Sequence, residues 1–121
     1  MRYGKNTERN RLITIQQMKT LKNDKVLNAI TKIAKKHRIN RIILFGSRAR
    51  GDNTERSDYD IAVSLRNPSP LEEAKIYDAI QSIETLKKID LVFLENQNAE
   101  ELSEQIKKEG ITLYEESKQT Q

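Results

Sequence analysis

Two aspartates separated by one residue, Asp58 and Asp60, open the stretch Ser57-Asp58-Tyr59-Asp60-Ile61-Ala62-Val63-Ser64-Leu65, whose apolar residues alternate as a strand requires. Successive side chains of a strand leave opposite faces, which puts Tyr59, Ile61, Val63 and Leu65 on one side and Asp58, Asp60, Ala62 and Ser64 on the other. Two carboxylates with Cβ atoms about 7 Å apart repel in a partly dry site, and a hard divalent cation between them relieves that cost. Mg²⁺ suits the arrangement, because it takes one or two protein carboxylates and completes its octahedron with water and phosphate oxygens. An isolated Asp-x-Asp has a second reading, in which the acids cap backbone amides where a loop becomes a strand.

A third acid, Asp90, stands second in the otherwise apolar run Ile89-Asp90-Leu91-Val92-Phe93-Leu94. Burying an unpaired carboxylate is costly, so a partner or a metal is expected beside it. If the two strands are neighbours, three acids converge; otherwise Asp90 sits at the strand mouth, solvated or paired with Lys87, Lys88 or Arg41. Gly46-Ser47 closes another apolar run, Arg41 to Phe45, and precedes Arg48-Ala49-Arg50-Gly51. The N–H groups of such a turn and the Ser47 hydroxyl suit a terminal phosphate, with Arg48 and Arg50 adding positive charge. This is not a P-loop, since Asp52-Asn53 follow Gly51 where Lys and Ser/Thr are required.

The surrounding pattern supplies elements to position these groups. Asn23 or Asp24 is a fitting N-cap for a helix reaching about Arg38, with Val26, Leu27, Ile30, Ile33 and Ala34 on one face and His37 in the last turn. Arg41 to Phe45 reads as a buried strand. Ser69-Pro70-Leu71-Glu72 marks a helix start, with Ser as N-cap, Pro at the first position and Glu placed for a capping box; the spacing predicts a helix to about Lys87 with Ile76, Ala79, Ile80, Ile83 and Leu86 inward. Ile89 to Leu94 follows as a third strand, Ala99 to Glu109 as a last helix with Leu102 and Ile106 inward, and Ile111 to Tyr114 as an edge strand. This order predicts an α/β (α+β) fold: a small mixed sheet with helices mainly on one face. Residues 1–22 are expected to form a basic helix or arm, 23–116 the folded domain and 117–121 a loose tail.

With 121 residues and 36% hydrophobic content, one modest core is expected. The absence of cysteine excludes disulfides and thiolate metal sites, and a single histidine excludes a His-rich zinc site, so a metal must sit on oxygen ligands. No apolar run is long enough for a membrane span and the first ten residues are too polar for a signal peptide, which makes the cytoplasm the expected address. The net charge of +4 conceals a division: residues 1–50 carry 14 Lys/Arg against 2 Asp/Glu, and residues 51–121 carry 8 against 16. The basic half suits phosphates or an acidic partner, or is simply the solvated side of helices. No aromatics are interleaved with its basic residues, so direct nucleic-acid binding is not expected.

Taken together, a strand, Gly46-Ser47, ten intervening residues, Asp58-x-Asp60 on a second strand and a third acid on a later one form a specific constellation. It resembles the Gly-Ser-x10-Asp-x-Asp signature of the polymerase-β-like nucleotidyltransferases, and most closely the minimal nucleotidyltransferase antitoxins that stand beside HEPN-domain toxins; the resemblance spans about residues 24–114. It implies that Gly46 and Ser47 grip the β and γ phosphates of ATP, that Asp58, Asp60 and Asp90 bind two Mg²⁺ ions, and that Asp90 helps activate the attacking hydroxyl. It further implies transfer of AMP to a tyrosine hydroxyl of a HEPN ribonuclease partner, which silences that toxin. Larger relatives carry an additional helical domain for the acceptor, so here the acceptor is expected on another polypeptide or from solution. Two other readings remain open: a non-catalytic module that neutralises a partner by association, and an autonomous transferase acting on a small molecule or an RNA end.

Overall fold

The computed structural model describes residues 13–96 and 100–116. The chain folds as α1 (Ile15–Lys22), α2 (Lys25–His37), β1 (Arg41–Phe45), a single helical turn α3 (Ser47–Arg50), β2 (Tyr59–Ser64), α4 (Pro70–Gln81), β3 (Ile89–Phe93), α5 (Glu100–Glu109) and β4 (Ile111–Glu115). The expected basic arm lies outside the described residues up to residue 12 and is helical from Ile15 onward; the expected tail at 117–121 also lies outside them.

Local signals set the helix starts. Asp24 caps α2, its Oδ1 accepting the Leu27 N–H at 3.0 Å, and Ser69 caps α4 by accepting the Glu72 N–H at 3.1 Å, with Pro70 at the first helical position. Thr14 and Gln17 form a reciprocal capping box at α1.

The sheet order is β3-β2-β1-β4. β1 runs antiparallel to β2 and β4, while β2 and β3 are parallel and connected through α4. Alternation along the strands separates two cores. Ile42, Leu44, Tyr59, Ile61 and Val63 face α2 and α4, where Leu27, Ile30, Ile76 and Ile80 complete the larger cluster. Ile43, Phe45 and Ala62 face the other way, toward Leu102 and Ile106 of α5. The expected faces of Tyr59, Ile61, Ala62 and Val63 in β2 and the edge position of the last strand are therefore realised, while Asp58 precedes the strand, and each fully buried Ile or Leu contributes about 1.5–3 kcal/mol to holding the layers together.

The helix expected to reach Lys87 stops at Gln81, and Leu86, expected inward, is 106% exposed. Ser82 Oγ donates to the Asp78 carbonyl at 2.7 Å and Gln81 Nε2 to the Ile89 carbonyl at 2.8 Å, so the chain leaves the helix early. That turn delivers Ile89, 4% exposed, into register with Tyr59. Among the described residues no helix is long and apolar enough to cross a membrane.

Candidate active site

Because β1 and β2 are antiparallel, the end of β1 meets the start of β2, and because β2 and β3 are parallel, the start of β3 lies at the same end of the sheet. This topology alone brings Gly46-Ser47, Asp58, Asp60 and Asp90 to one rim. Phe45 pairs with Asp60, and Asp60 pairs with Asp90. The neighbouring-strand condition for convergence of the acids is met.

Gly46 is required here by contact as well as by conformation. Its φ of +76° and ψ of −161° suit glycine almost exclusively, and a Cβ at this position would lie 2.1 Å from Asp60 Oδ2. The Gly46 carbonyl accepts the Ala49 and Arg50 N–H groups, both at 3.0 Å, which starts α3. Ser47 is half-buried at the first position of that turn.

Asp58 is exposed, whereas Asp60 and Asp90 are half-buried. Burial, then the charges of Asp90, Asp58 and Glu109, push the Asp60 carboxyl above the ordinary carboxylate range, with Arg50 opposing. Asp90 also has one of the partners considered for it: Lys88 Nζ lies 3.5 Å from its Oδ1.

Among the described residues, no three His, Cys, Asp or Glu side chains close into a ready metal cage. The expected grouping of Asp58, Asp60 and Asp90 as ligands is thus an open cluster. Carboxylates repel one another without a cation between them, and Mg²⁺ is held by few protein oxygens and many from substrate and water. The donor chemistry fits the ion: all-oxygen, hard and negatively charged, with the Asp60 carboxylate disfavoured by burial and by its acidic neighbours in spite of Arg50.

The two arginines expected near the phosphates are committed within the protein. Arg48 donates from Nε and Nη2 to the Ser57 carbonyl at 3.2 and 3.1 Å and from Nη2 to the Glu55 carbonyl at 3.2 Å, and its guanidinium stacks 4.1 Å from the Tyr59 ring centroid. It folds the 54–57 loop that delivers Asp58. Arg50 is paired with Asp52 at 3.1 Å and with Glu109 at 3.0 Å. Tyr59 extends this scaffold: its hydroxyl donates to Asp24 Oδ2 at 2.8 Å, and burial followed by that bond pushes its pKa up to about 12. The capping residue of α2 thereby also anchors the first residue of β2.

Glu109, in the last turn of α5, is the participant that sequence reasoning missed. It is 9% exposed and accepts the Gly46 N–H at 2.7 Å, an Arg50 N–H at 3.0 Å and Gln105 Nε2 at 2.8 Å. Burial alone would raise its carboxyl, but the hydrogen bonds from Gln105, Arg50 and Gly46 outweigh it and hold the group below the usual range. Gly46 therefore donates to Glu109 the N–H that was expected to face a phosphate. The signal available was a glutamate immediately before the helix-ending Gly110, which otherwise resembles any solvated acid.

This fold and this rim define a nucleotidyltransferase domain, and the family profile described as Polymerase beta, Nucleotidyltransferase matches residues 28–119: the chain belongs to that family. Within it, the chain is similar to solved toxin–antitoxin proteins. One, a toxin–antitoxin with AMP-PNP, is 26% identical with a TM-score of 0.61, covering 75% of this chain and 74% of that one. A mutant MntA-HpeT toxin–antitoxin pair gives 27% identity and a TM-score of 0.58 over 74% and 72% of the two chains. The Shewanella oneidensis complex of a tri-AMPylated HEPN toxin with an MNT antitoxin shares the fold at 23% identity and a TM-score of 0.55, covering 75% and 71%. No curated protein matches the chain significantly.

Proposed function

We propose that the chain is an antitoxin that transfers AMP from ATP to a tyrosine hydroxyl of a HEPN-domain ribonuclease toxin, in the cytoplasm. The carrying observation is the gathering of Asp58, Asp60 and Asp90 beside the Gly46-Ser47 turn through the Phe45–Asp60 and Asp60–Asp90 register pairs. The similarity to a toxin–antitoxin with AMP-PNP supports ATP as the nucleotide, and the tri-AMPylated HEPN toxin of the Shewanella oneidensis complex supports the acceptor class.

In the reaction an acceptor oxygen attacks the α-phosphorus, the bond to the β-phosphate oxygen breaks, and pyrophosphate leaves. Ser47 holds the terminal phosphates and the 54–57 loop presents Asp58. Asp90 accepts the proton of the attacking hydroxyl. Asp58, Asp60 and Asp90 are the residues that would hold Mg²⁺, and when bound, two such ions supply charge neutralisation at the attacking and leaving oxygens. Arg48 acts through the loop it folds, and Arg50 through the electrostatic balance at Asp60.

The test is the intact mass of the neighbouring-gene protein after incubation with this chain, ATP and Mg²⁺, with Asp58→Ala as control. The expected result is a gain of one or more AMP units that the variant does not produce. No mass change, with the two proteins co-eluting and the variant still neutralising, would overturn the transfer reading in favour of neutralisation by association.

A further inference from the structure

Glu109 sits in the chain 63 positions from Gly46, on the helix that covers the opposite face of the sheet from α2 and α4, yet its carboxylate is bonded to the Gly46 N–H. At 2.7 Å the bond is charge-assisted and short. Burying a carboxylate beside Asp60 works against the fold, since Glu109 is one of the charges that raise the Asp60 carboxyl. A side chain kept there against that cost is held by three donors, from Gly46, Arg50 and Gln105.

The Gly46 peptide decides two positions at once. Its orientation sets where Ser47 begins α3, and its Cα packs against Asp60 so closely that a Cβ would overlap Oδ2. Glycine has wide backbone freedom, so a turn centred on it keeps one conformation only if something outside the turn holds it. Glu109 is the side chain that does so, and through Arg50 it also keeps a positive charge beside the acidic rim.

We propose that Glu109 is a positioning residue of the nucleotidyl-transfer site: by clamping the Gly46 N–H it holds Ser47 and Asp60 in the geometry that nucleotide transfer needs. This rests on the transfer reading above. Glu109 touches neither substrate nor the reacting atoms in this arrangement, and its effect passes through Gly46.

The experiment measures AMP transfer with ATP varied, AMP-PNP affinity with Mg²⁺, and Tm for the full chain and its Glu109→Ala, Glu109→Gln and Glu109→Asp variants. Loss of the clamp is expected to lower kcat/KM for ATP on the order of 10²-fold in Glu109→Ala, with the KM for the acceptor protein unchanged. Gln keeps the reach and an acceptor oxygen, so Glu109→Gln is expected to recover most of the loss. Asp keeps the charge but withdraws by about 1.5 Å, one carbon–carbon bond, and is expected to behave like Ala. Should Glu109→Ala fail to fold, the Gln and Asp pair carries the same comparison. Wild-type kcat/KM in the Ala or Asp variant overturns the proposal, as does equal impairment of Gln and Asp. If the wild-type chain itself transfers nothing, the transfer reading fails, and AMP-PNP affinity decides the clamp: weakened by Ala and Asp but spared by Gln supports it, unchanged overturns it.

Discussion

Replacing Gly46 by alanine tests the closest packing at the site, and its cost can be worked from two independent features. The backbone there, with φ +76° and ψ −161°, is a conformation that an L-residue enters at about 1–3 kcal/mol. The added Cβ would also lie 2.1 Å from Asp60 Oδ2 and 2.9 Å from its Cγ, so the aspartate must move or the turn must open. Backbone strain of about 2 kcal/mol alone corresponds to a fall in Tm of roughly 6–10 °C for a domain of this size. The steric part is separable, because it depends on the carboxyl group: with Asp60→Ala in the background, the nearest remaining atom is the Asp60 Cβ position at 3.2 Å, which a small shift accommodates. Chemical melts of wild type, both single variants and the double variant give the coupling, expected at about 1 kcal/mol or more, with the double variant more stable than the sum of the two single effects. Transfer should be lost in all three variants. Additive losses with no coupling would refute the packing argument, and full transfer by Gly46→Ala would refute the role of the turn.

Asp60→Asn is expected to abolish transfer while raising Tm at neutral pH. The folded pKa of Asp60 lies above its ordinary value of 3.8, so its penalty is absent below that value and appears as pH rises through the folded pKa. The Tm gap between variant and wild type should therefore widen with pH through the acid range and narrow when Mg²⁺ is added; a pH-independent gap contradicts the electrostatic account. Arg48→Ala removes a cation from the Ser57 and Glu55 carbonyls and from the Tyr59 ring, and is expected to cost about 1.5–3 kcal/mol of stability, read by urea melts. An unchanged melt with weakened ATP binding would favour the expected direct contact of Arg48 with phosphate over its role in the loop.

The fold around the candidate site was legible where it depends on residue type and short-range spacing. Strand alternation alone separated Ala62 from Tyr59, Ile61 and Val63, and the caps at Asp24 and Ser69 are local bonds between residues three apart. Such features survive translation from sequence because they involve only a few neighbouring torsions. The end of α4 departs from the helical spacing for the complementary reason: Ile83 and Leu86 continue that spacing, but Gln81 finds the Ile89 carbonyl and the chain turns away.

What the sequence by itself determined about this protein is therefore a small mixed sheet and the set of acids and the Gly-Ser turn it carries, since residue types and a strand period of two are written directly in the order of the chain. Only the tertiary structure decided how the charges are spent. Arg48 and Arg50 face loop carbonyls, Tyr59 and acids of the protein itself, and a glutamate from the far end of the chain holds the glycine of the turn. The reason is physical: a charged side chain takes the nearest partner in space, and for Glu109 the partners Arg50 and Gly46 are set by strand order and helix packing across 59 and 63 residues of sequence, distances at which no periodicity carries information.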